Sequence, residues 1–211
     1  MRALWTVSLL LCACGGTTTP AGTPAPRSAA AVQADSVRRS YTRADIDFMT
    51  HMISHHAQAI EMARLAPTHG AGSSIQVLAE RIINAQQDEI ATMQRWLRER
   101  NLPLPDPAGA ARDHGGHGAH GMLMPGMLTP EQMRQLDAAR GSEFDRLFLT
   151  FMIQHHEGAV TMVRQLFGSA GAAQEDTIFK FASDVSVDQT TEVARMRRML
   201  AAMPTETGSA R

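Results

Sequence analysis

The stretch MISHHAQAIEM, residues 52–62, recurs as MIQHHEGAVTM, residues 152–162, and the organisation of the chain follows from this repeat. The copies align without a gap at an offset of 100 residues. The match extends upstream to the pairs Asp45 and Asp145, Phe48 and Phe148, and Thr50 and Thr150. Two adjacent histidines are uncommon in a helix with an apolar face. Their duplication predicts an internal repeat whose function lies at these histidines.

The composition favours one helical domain, or two very small ones. The chain has 211 residues, of which 44% are hydrophobic and only 5% aromatic, with 14 methionines. This balance is typical of helices that pack through Leu, Met and Ala, and not of stacked strands. The net charge of -1 gives no indication of nucleic-acid binding.

Residues 1–13 are predicted to be a targeting segment outside the fold. An apolar run over residues 3–11 is too short to span a bilayer but has the length of a signal-peptide core. Its end, Leu11-Cys12-Ala13-Cys14, resembles the bacterial lipobox, which implies that Cys14 is lipid-modified and anchors the protein to a membrane. Because Gly15 follows, the resemblance implies a periplasm-facing protein of the outer membrane. An ordinary secretory signal is the alternative and would make the protein secreted.

The two cysteines limit the possible metal ligands. Cys12 would leave with the signal and Cys14 would carry lipid, so the mature chain has neither a free thiol nor a disulfide. A metal site must then use imidazole, carboxylate, amide or thioether groups. Residues 14–41 are predicted to be a disordered tether, because Thr, Pro, Ala, Gly and Ser dominate them, and residues 204–211 a polar tail.

Start and stop signals predict two helical hairpins over residues 42–203. The capping-box spacing of a Thr or Ser followed three residues later by Asp or Gln occurs at Thr42, Ser73 and Thr129. Pro and Gly residues then mark the helix ends. A long loop over residues 101–128 joins the hairpins. The sequence therefore predicts an all-α four-helix bundle.

Helical periodicity directs both histidine pairs toward the bundle interior. At 100° per residue, His56 lies within about 40° of Met52 and His55 within about 60°. His51 lies off this face, and Phe151 takes its place in the other copy, so it is interpreted as incidental. The opposite face is predicted to carry Ser54, Gln58, Glu61 and Arg64.

A second repeated motif, Gln-x-x-Glu-x-x-x-Met, follows one helix later in each half. It comprises Gln86, Glu89 and Met93, and again Gln189, Glu192 and Met196. Polar side chains on an apolar helix face need partners when they are buried. The imidazoles of the neighbouring helix are suitable partners, and both sets of side chains are also placed to converge on a metal.

With its two His-His motifs, each followed one helix later by Gln-x-x-Glu-x-x-x-Met, the chain resembles the bacterial family catalogued as domain of unknown function 305. The resemblance covers about residues 43–203. It implies a ferritin-like helical bundle in a secreted or lipid-anchored protein. Some members of the family are linked to copper binding and copper tolerance, so the resemblance also implies copper as a candidate ligand.

The candidate metal site combines imidazole and thioether groups, a donor set that suits copper. Zinc is possible with His and Glu ligands but leaves the methionines unexplained. The residues of the Gln-x-x-Glu-x-x-x-Met motif are predicted to orient the imidazoles from outside the ligand set. The predicted ligands are His55, His56, His155, His156, Met52, Met62, Met152 and Met162.

The loop over residues 101–128 contains a secondary candidate site. His114, His117 and His120 are separated by glycines and followed by Met122, Met124 and Met127. Short His-rich tracts of this kind bind metal ions loosely. The alternative interpretation is a flexible linker whose histidines have no role.

These patterns predict an extracytoplasmic, lipid-anchored protein that binds and buffers copper or contributes to copper tolerance. The alternative is a structural or interaction lipoprotein whose His, Gln and Glu side chains form only a packing network. A ferritin-like di-metal oxidase is a weaker alternative, because each repeat supplies one inward Glu and no Glu-x-x-His. Since no nucleophile with its base and no phosphate loop is recognisable, an enzyme is not expected.

Overall fold

The computed structural model describes residues 41–105 and 123–204, which form an all-α, bundle-like fold of five helices in packed pairs. None of these helices is both long and apolar enough to cross a membrane. The predicted signal segment, Cys14, most of the tether, the loop histidines and most of the polar tail lie outside the described residues. The helices are α1 (Arg43–Arg64), α2 (Ser73–Glu99), α3 (Pro130–Ala138), α4 (Gly141–Gly168) and α5 (Asp176–Ala202), with a 3₁₀ turn at Ala66–Thr68.

Two of the three predicted capping boxes are present. The side chain of Thr42 caps α1 together with Asp45, and that of Thr129 caps α3 together with Gln132. The box predicted at Ser73 is wrong, because the N-cap of α2 is Gly72, which has no side chain. The N–H of Gly72 instead donates to the carboxylate of Asp145 on α4 at 3.1 Å.

The helices surround two apolar clusters. Helix α1 packs against α2, α4 packs against α5, and α1 packs against α4. The Phe48 cluster is formed by the first half of α1, the second half of α2, the second half of α4 and the first half of α5. The Phe148 cluster is formed by the complementary halves of the same four helices. The two clusters therefore lie toward opposite ends of the bundle.

Two aspartates at corresponding positions tie each histidine-bearing helix to the turn of the other hairpin. Asp45 on α1 accepts a hydrogen bond from the N–H of Ala173 at 2.7 Å, and Asp145 on α4 accepts from Gly72. The bond to Ala173 is buried and holds that residue at a φ of 53°, a conformation that costs a non-glycine residue energy. These bonds fix α1 against α4, which brings the two histidine motifs together.

Residues 123–128 form a non-helical segment, here termed the strap, that crosses α1 and α4. Its carboxyl end is bound by Gln58, whose Nε2 donates to the Leu128 carbonyl at 3.0 Å and whose Oε1 accepts from the Leu128 N–H at 2.7 Å. The prediction that Ser54 and Gln58 face away from the interior is therefore wrong, because both are buried. Glu61 and Arg64 are exposed as predicted.

Candidate metal centre in the histidine layer

A layer of polar side chains separates the two apolar clusters. On each of the four long helices, its residues lie in sequence between the segment that joins the Phe48 cluster and the segment that joins the Phe148 cluster. All six are nearly inaccessible to solvent, with at most 2% exposed. The layer consists of His55 and His56 on α1, Gln86 on α2, His155 and His156 on α4, and Gln189 on α5.

The outer histidines, His56 and His156, are each held by a carboxylate from the partner helix of the same hairpin. The Nε2 of His56 lies 2.5 Å from Glu89 Oε2, and the Nε2 of His156 lies 2.7 Å from Glu192 Oε2. Because a carboxylate accepts, each Nε2 carries a proton, and in the neutral tautomer each Nδ1 has a lone pair. Neither Nδ1 has a hydrogen-bond partner in the described part of the chain, although both are buried.

The inner histidines, His55 and His155, lie against each other across the α1–α4 contact. Their ring centroids are 3.8 Å apart at an interplanar angle of 37°. The Nε2–H of His55 donates to the carbonyl of Pro125 in the strap at 2.9 Å. Neither ring nitrogen of His155, nor Nδ1 of His55, has a partner among residues 41–105 and 123–204.

Both inner imidazoles are kept neutral by their surroundings. Burial, with the nearby His56 as the next cause, lowers the pKa of His55 to about 3. Burial, followed by the proximity of His55, also places the pKa of His155 well below its ordinary value. A charged imidazole is disfavoured where water is excluded and other imidazoles are close. The inner pair therefore presents unprotonated ring nitrogens at neutral pH.

The strap lies very close to α4 because glycines permit the approach. A Cβ on Gly158 of α4 would lie 2.0 Å from the carbonyl oxygen of Pro125. Gly126 has a φ of 77°, which favours glycine, and a Cβ there would lie 2.5 Å from the carbonyl oxygen of Gln154. The Gln154 side chain in turn donates to the Gly126 carbonyl at 3.3 Å.

Thioether groups flank the histidine layer on both sides. Met52, Met93 and Met162 belong to the Phe48 cluster, whereas Met62, Met152 and Met196 belong to the Phe148 cluster. The two methionines of one helical motif, such as Met52 and Met62, thus lie in different clusters. On each side of the layer, one methionine of the repeated His-His stretch comes from α1 and one comes from α4.

The donor atoms available in the layer fit copper. Within residues 41–105 and 123–204, no three His, Cys, Asp or Glu side chains are arranged to hold a metal ion on their own. An ion in the layer would therefore combine imidazole nitrogen with another donor, and the thioether sulfurs on either side are the nearest soft donors in sequence. Neutral imidazole accepts either oxidation state of copper, and thioether favours Cu(I).

An acidic groove of about 570 Å³ lies between α2 and α5 beside this layer. Asp88, Glu89, Asp184 and Asp188 are among the residues that line it. Burial raises the pKa of Asp188, and the nearby charges of Glu89, Asp184 and Glu192 raise it further. The groove thus concentrates negative charge next to the two carboxylates that hold the outer histidines, and such a field raises the local concentration of cations.

The residues that the sequence did not identify are those of the strap contact. Gln58 and Gly158 bind or accommodate the strap, and Pro125 and Gly126 belong to it. A signal was present, since position 58 is Gln and position 158 is Gly within an otherwise similar repeated stretch.

The predicted loop site is only partly within the described residues. His114, His117, His120 and Met122 lie outside them. The two loop methionines that the structure does describe are packed within the protein. Met124 packs against the Phe48 cluster, and Met127 is buried with 7% exposed.

Comparison with known proteins gives one family and several solved structures. The model of the family named Domain of unknown function (DUF305) matches residues 45–200 of this chain. A DUF305 protein from Streptomyces coelicolor, described as a "putative secreted protein", is 27% identical, with a TM-score of 0.62 over 75% of this chain and 91% of its own. A DUF305 fragment from Deinococcus radiodurans is 26% identical, with a TM-score of 0.64 over 77% of this chain and 99% of its own.

A third similar structure is CopM in the Cu(II)-bound form. It is 28% identical, with a TM-score of 0.58 over 74% of this chain and 95% of its own. CopM is also known in a Cu(I)-bound form. No match is found among curated proteins.

Proposed function

The chain belongs to the DUF305 family. We propose that it is an extracytoplasmic, lipid-anchored protein that binds copper, either to buffer it or to contribute to copper tolerance. The histidine layer is the binding site in this proposal. Catalysis is not part of it. The ferritin-like four-helix bundle supplies four buried helix faces that hold the donor groups in place.

The observation that carries the proposal is the state of His56 and His156. Each ring donates its Nε2–H to a carboxylate and leaves a buried Nδ1 lone pair without a partner in the described structure. A metal-binding histidine characteristically donates its other N–H to a carboxylate, which fixes the tautomer and makes the ligating nitrogen more basic. A buried unpaired nitrogen is otherwise unfavourable by about 1–3 kcal/mol. Binding of a metal ion would remove that penalty.

Copper is favoured over zinc by the remaining donors. The six buried methionines of the repeated motifs flank the layer, and thioether sulfur is a soft ligand that suits Cu(I). Zinc sites use His, Cys and carboxylate ligands, and the carboxylates of Glu89 and Glu192 are already bonded to imidazole. CopM, which is similar in sequence and fold, has been solved with Cu(II) and with Cu(I).

The proposed location follows from the amino-terminal sequence and from one relative. The lipobox-like segment ending in Cys14 supports attachment to a membrane, and its Gly15 supports the outer membrane. The predicted tether, residues 14–41, would join the anchor to α1, which begins at Arg43. The Streptomyces relative carries a description as a secreted protein, which agrees with a site outside the cytoplasm.

A packing network is the second candidate function, and the same hydrogen bonds favour it. The bonds from His56 to Glu89 and from His156 to Glu192 satisfy two imidazole donors across each hairpin, as a structural network requires. The unpaired nitrogens argue against this candidate, because a network that only specifies packing is expected to satisfy its members.

Copper titration of metal-free protein distinguishes the two candidates. We expect the full chain to retain copper after exposure to Cu(I) or Cu(II) and desalting, with metal content measured by mass spectrometry. Binding to the native state should also raise the melting temperature. Replacement of both outer histidines, His56→Gln with His156→Gln, should remove copper from the bundle.

A buried histidine outside the layer supplies the matched control. His69 is 5% exposed, and its Nε2 donates to the Asp137 carbonyl at 2.9 Å, so His69→Gln should lower stability without lowering copper content. Wild-type protein that stays free of metal, with an unchanged melting temperature, would favour the packing network. Loss of copper only after deletion of residues 114–121 would move the site into the loop.

A further inference from the structure

A surface cleft between α1 and α4 is lined by a histidine outside the layer and by one of the flanking methionines. The cleft has a volume of about 220 Å³, and its lining includes Asp47, His51, Met162 and Gln165. His51 is exposed, whereas Met162 belongs to the Phe48 cluster. The cleft thus joins the protein surface to the thioether side of the histidine layer.

Met162 alone among the six flanking methionines reaches the solvent. It is 6% exposed, whereas Met52, Met62, Met93, Met152 and Met196 are all 0% exposed. A metal ion that enters the layer must exchange its water ligands for protein ligands on the way. The first buried thioether available to it is therefore Met162.

The corresponding place in the other repeat has neither an imidazole nor an accessible thioether. Position 151 is Phe, which is 8% exposed and belongs to the Phe148 cluster. Met62, which corresponds to Met162, is fully buried. The imidazole and the accessible thioether therefore occur together at one end of the bundle.

We propose that His51 and Met162 form a capture site for a soft monovalent metal ion, through which the ion enters the thioether groups beside the histidine layer. The proposal rests on the proposed copper-binding function and names its entrance. One imidazole and one thioether are a suitable ligand set for a soft ion of low coordination number. Because His51 is exposed, its ring is free to reorient toward an arriving ion.

The charge of the cleft agrees with a soft monovalent ion. Asp47 is the carboxylate in the lining, and its Oδ1 accepts a hydrogen bond from Arg43 Nε at 2.8 Å. An ion pair of this kind leaves little net negative charge. A hard divalent cation, which prefers several carboxylate oxygens, is therefore not favoured here.

The kinetics of silver(I) uptake by the full chain test the capture site. Ag(I) is a redox-inactive probe with the ligand preferences of Cu(I), and stopped-flow fluorescence of Trp96, which belongs to the Phe48 cluster, follows its uptake. His51→Phe places in this cleft the residue that the other repeat has. We expect it to slow uptake about tenfold while the final silver content stays unchanged. Equal rates for wild type and His51→Phe would overturn the proposal.

Two further variants locate the entrance. Met162→Leu preserves the volume of the side chain and should also slow uptake, because it removes the accessible thioether. Asp188→Asn reduces the charge of the acidic groove and should leave the rate unchanged. Slower uptake by Asp188→Asn with no effect of His51→Phe would place the entrance in the groove instead.

The end point separates this proposal from the function on which it rests. Wild-type protein that takes up no silver and no copper at equilibrium would contradict both. Wild-type protein that fills normally, with His51→Phe filling at the same rate, would contradict only the capture site.

Discussion

The two copies of the histidine motif are alike at their second histidine and different at their first. His56 and His156 each donate to a carboxylate one helix away, at 2.5 and 2.7 Å. His55 instead donates to the strap, whereas His155 has no partner within the described residues. The outer pair thus follows the repeat in the sequence, and the inner pair departs from it.

The difference arises because two similar helices share one strap. A single segment cannot lie in the same way on both copies. Gln58 on α1 binds the strap backbone, and Gly158 at the corresponding position of α4 leaves room for the Pro125 carbonyl. The difference between positions 58 and 158 therefore lets one strap bind α1 and lie close against α4. A difference between the two copies of the repeat thus marks the surface that contacts a segment present only once in the chain.

The largest expected effect is a loss of folding stability in acid, which arises from the inner pair. The folded-state pKa of His55 lies below the unfolded value, so the unfolded chain binds more protons as the pH falls below about 6.5. Stability is then complete above that pH and is lost progressively toward pH 3. Between pH 7 and pH 5 we expect metal-free protein to lose about 2 kcal/mol from His55, with His155 adding to the loss.

Urea denaturation of chelator-treated protein at several pH values measures this loss. The variant His55→Gln should show a shallower dependence on pH, because one neutral buried imidazole is absent. Asp145 and Asp188 act in the opposite sense, since their raised pKa values make the folded state bind protons more tightly. A pH profile that His55→Gln leaves unaltered would contradict the prediction.

Gly158→Ala should displace the strap from the inner pair. The added Cβ meets backbone atoms of Pro125 and Gly126, which have little freedom to move away. We expect a loss of about 2–3 kcal/mol in the free energy of unfolding, together with faster modification of His55 by a histidine-specific reagent. Gly168→Ala is the matched control, because a Cβ there meets no described atom within 4 Å, and it should be neutral or slightly stabilising.

Gln58→Ala should loosen the other end of the strap by a smaller amount. It leaves the N–H and the carbonyl of Leu128 without their side-chain partner in a buried place. The expected loss is about 1–2 kcal/mol. Gln154→Ala should cost less, since its bond to the Gly126 carbonyl is longer, 3.3 Å, and only partly buried. Equal losses for the two variants, measured by chemical denaturation, would mean that Gln58 is not the main anchor.

The outer pair should respond symmetrically, and with the smallest change in stability. Glu89→Gln and Glu192→Gln keep an acceptor for the imidazole but remove its charge, so each should cost about 1 kcal/mol. Each should also weaken copper binding by about 10- to 100-fold, because the ligating imidazole becomes less basic. Isothermal titration measures the affinity. A clear difference between the two variants would show that the outer histidines are not equivalent.

The fold was predictable because its signals are local. Helical periodicity, two capping boxes and the repeated motifs depend on residues within one or two turns of each other, and the helices lie close to where those signals placed them. The hydrogen bonds from His56 to Glu89 and from His156 to Glu192 agree with one interpretation of the repeated motifs, in which the next helix supplies partners for the imidazoles, because short connections make hairpin helices neighbours. The box at Ser73 is absent because α2 starts one residue earlier, with Gly72 at its N-cap and the N–H of Gly72 bound by the distant carboxylate of Asp145.

Helical periodicity in the sequence predicted that both histidine pairs face the interior, and the repeated motifs offered the next helix as the source of their polar partners. The contact of His55 with His155 and the path of the strap were decided only in the tertiary structure. Both join residues about 70 or more positions apart, where periodicity carries no information. Because Gln58 is polar and lies off the apolar face of its helix, helical periodicity predicts that it is exposed to solvent. It is buried because a remote backbone segment offers it a donor and an acceptor, which no local pattern specifies.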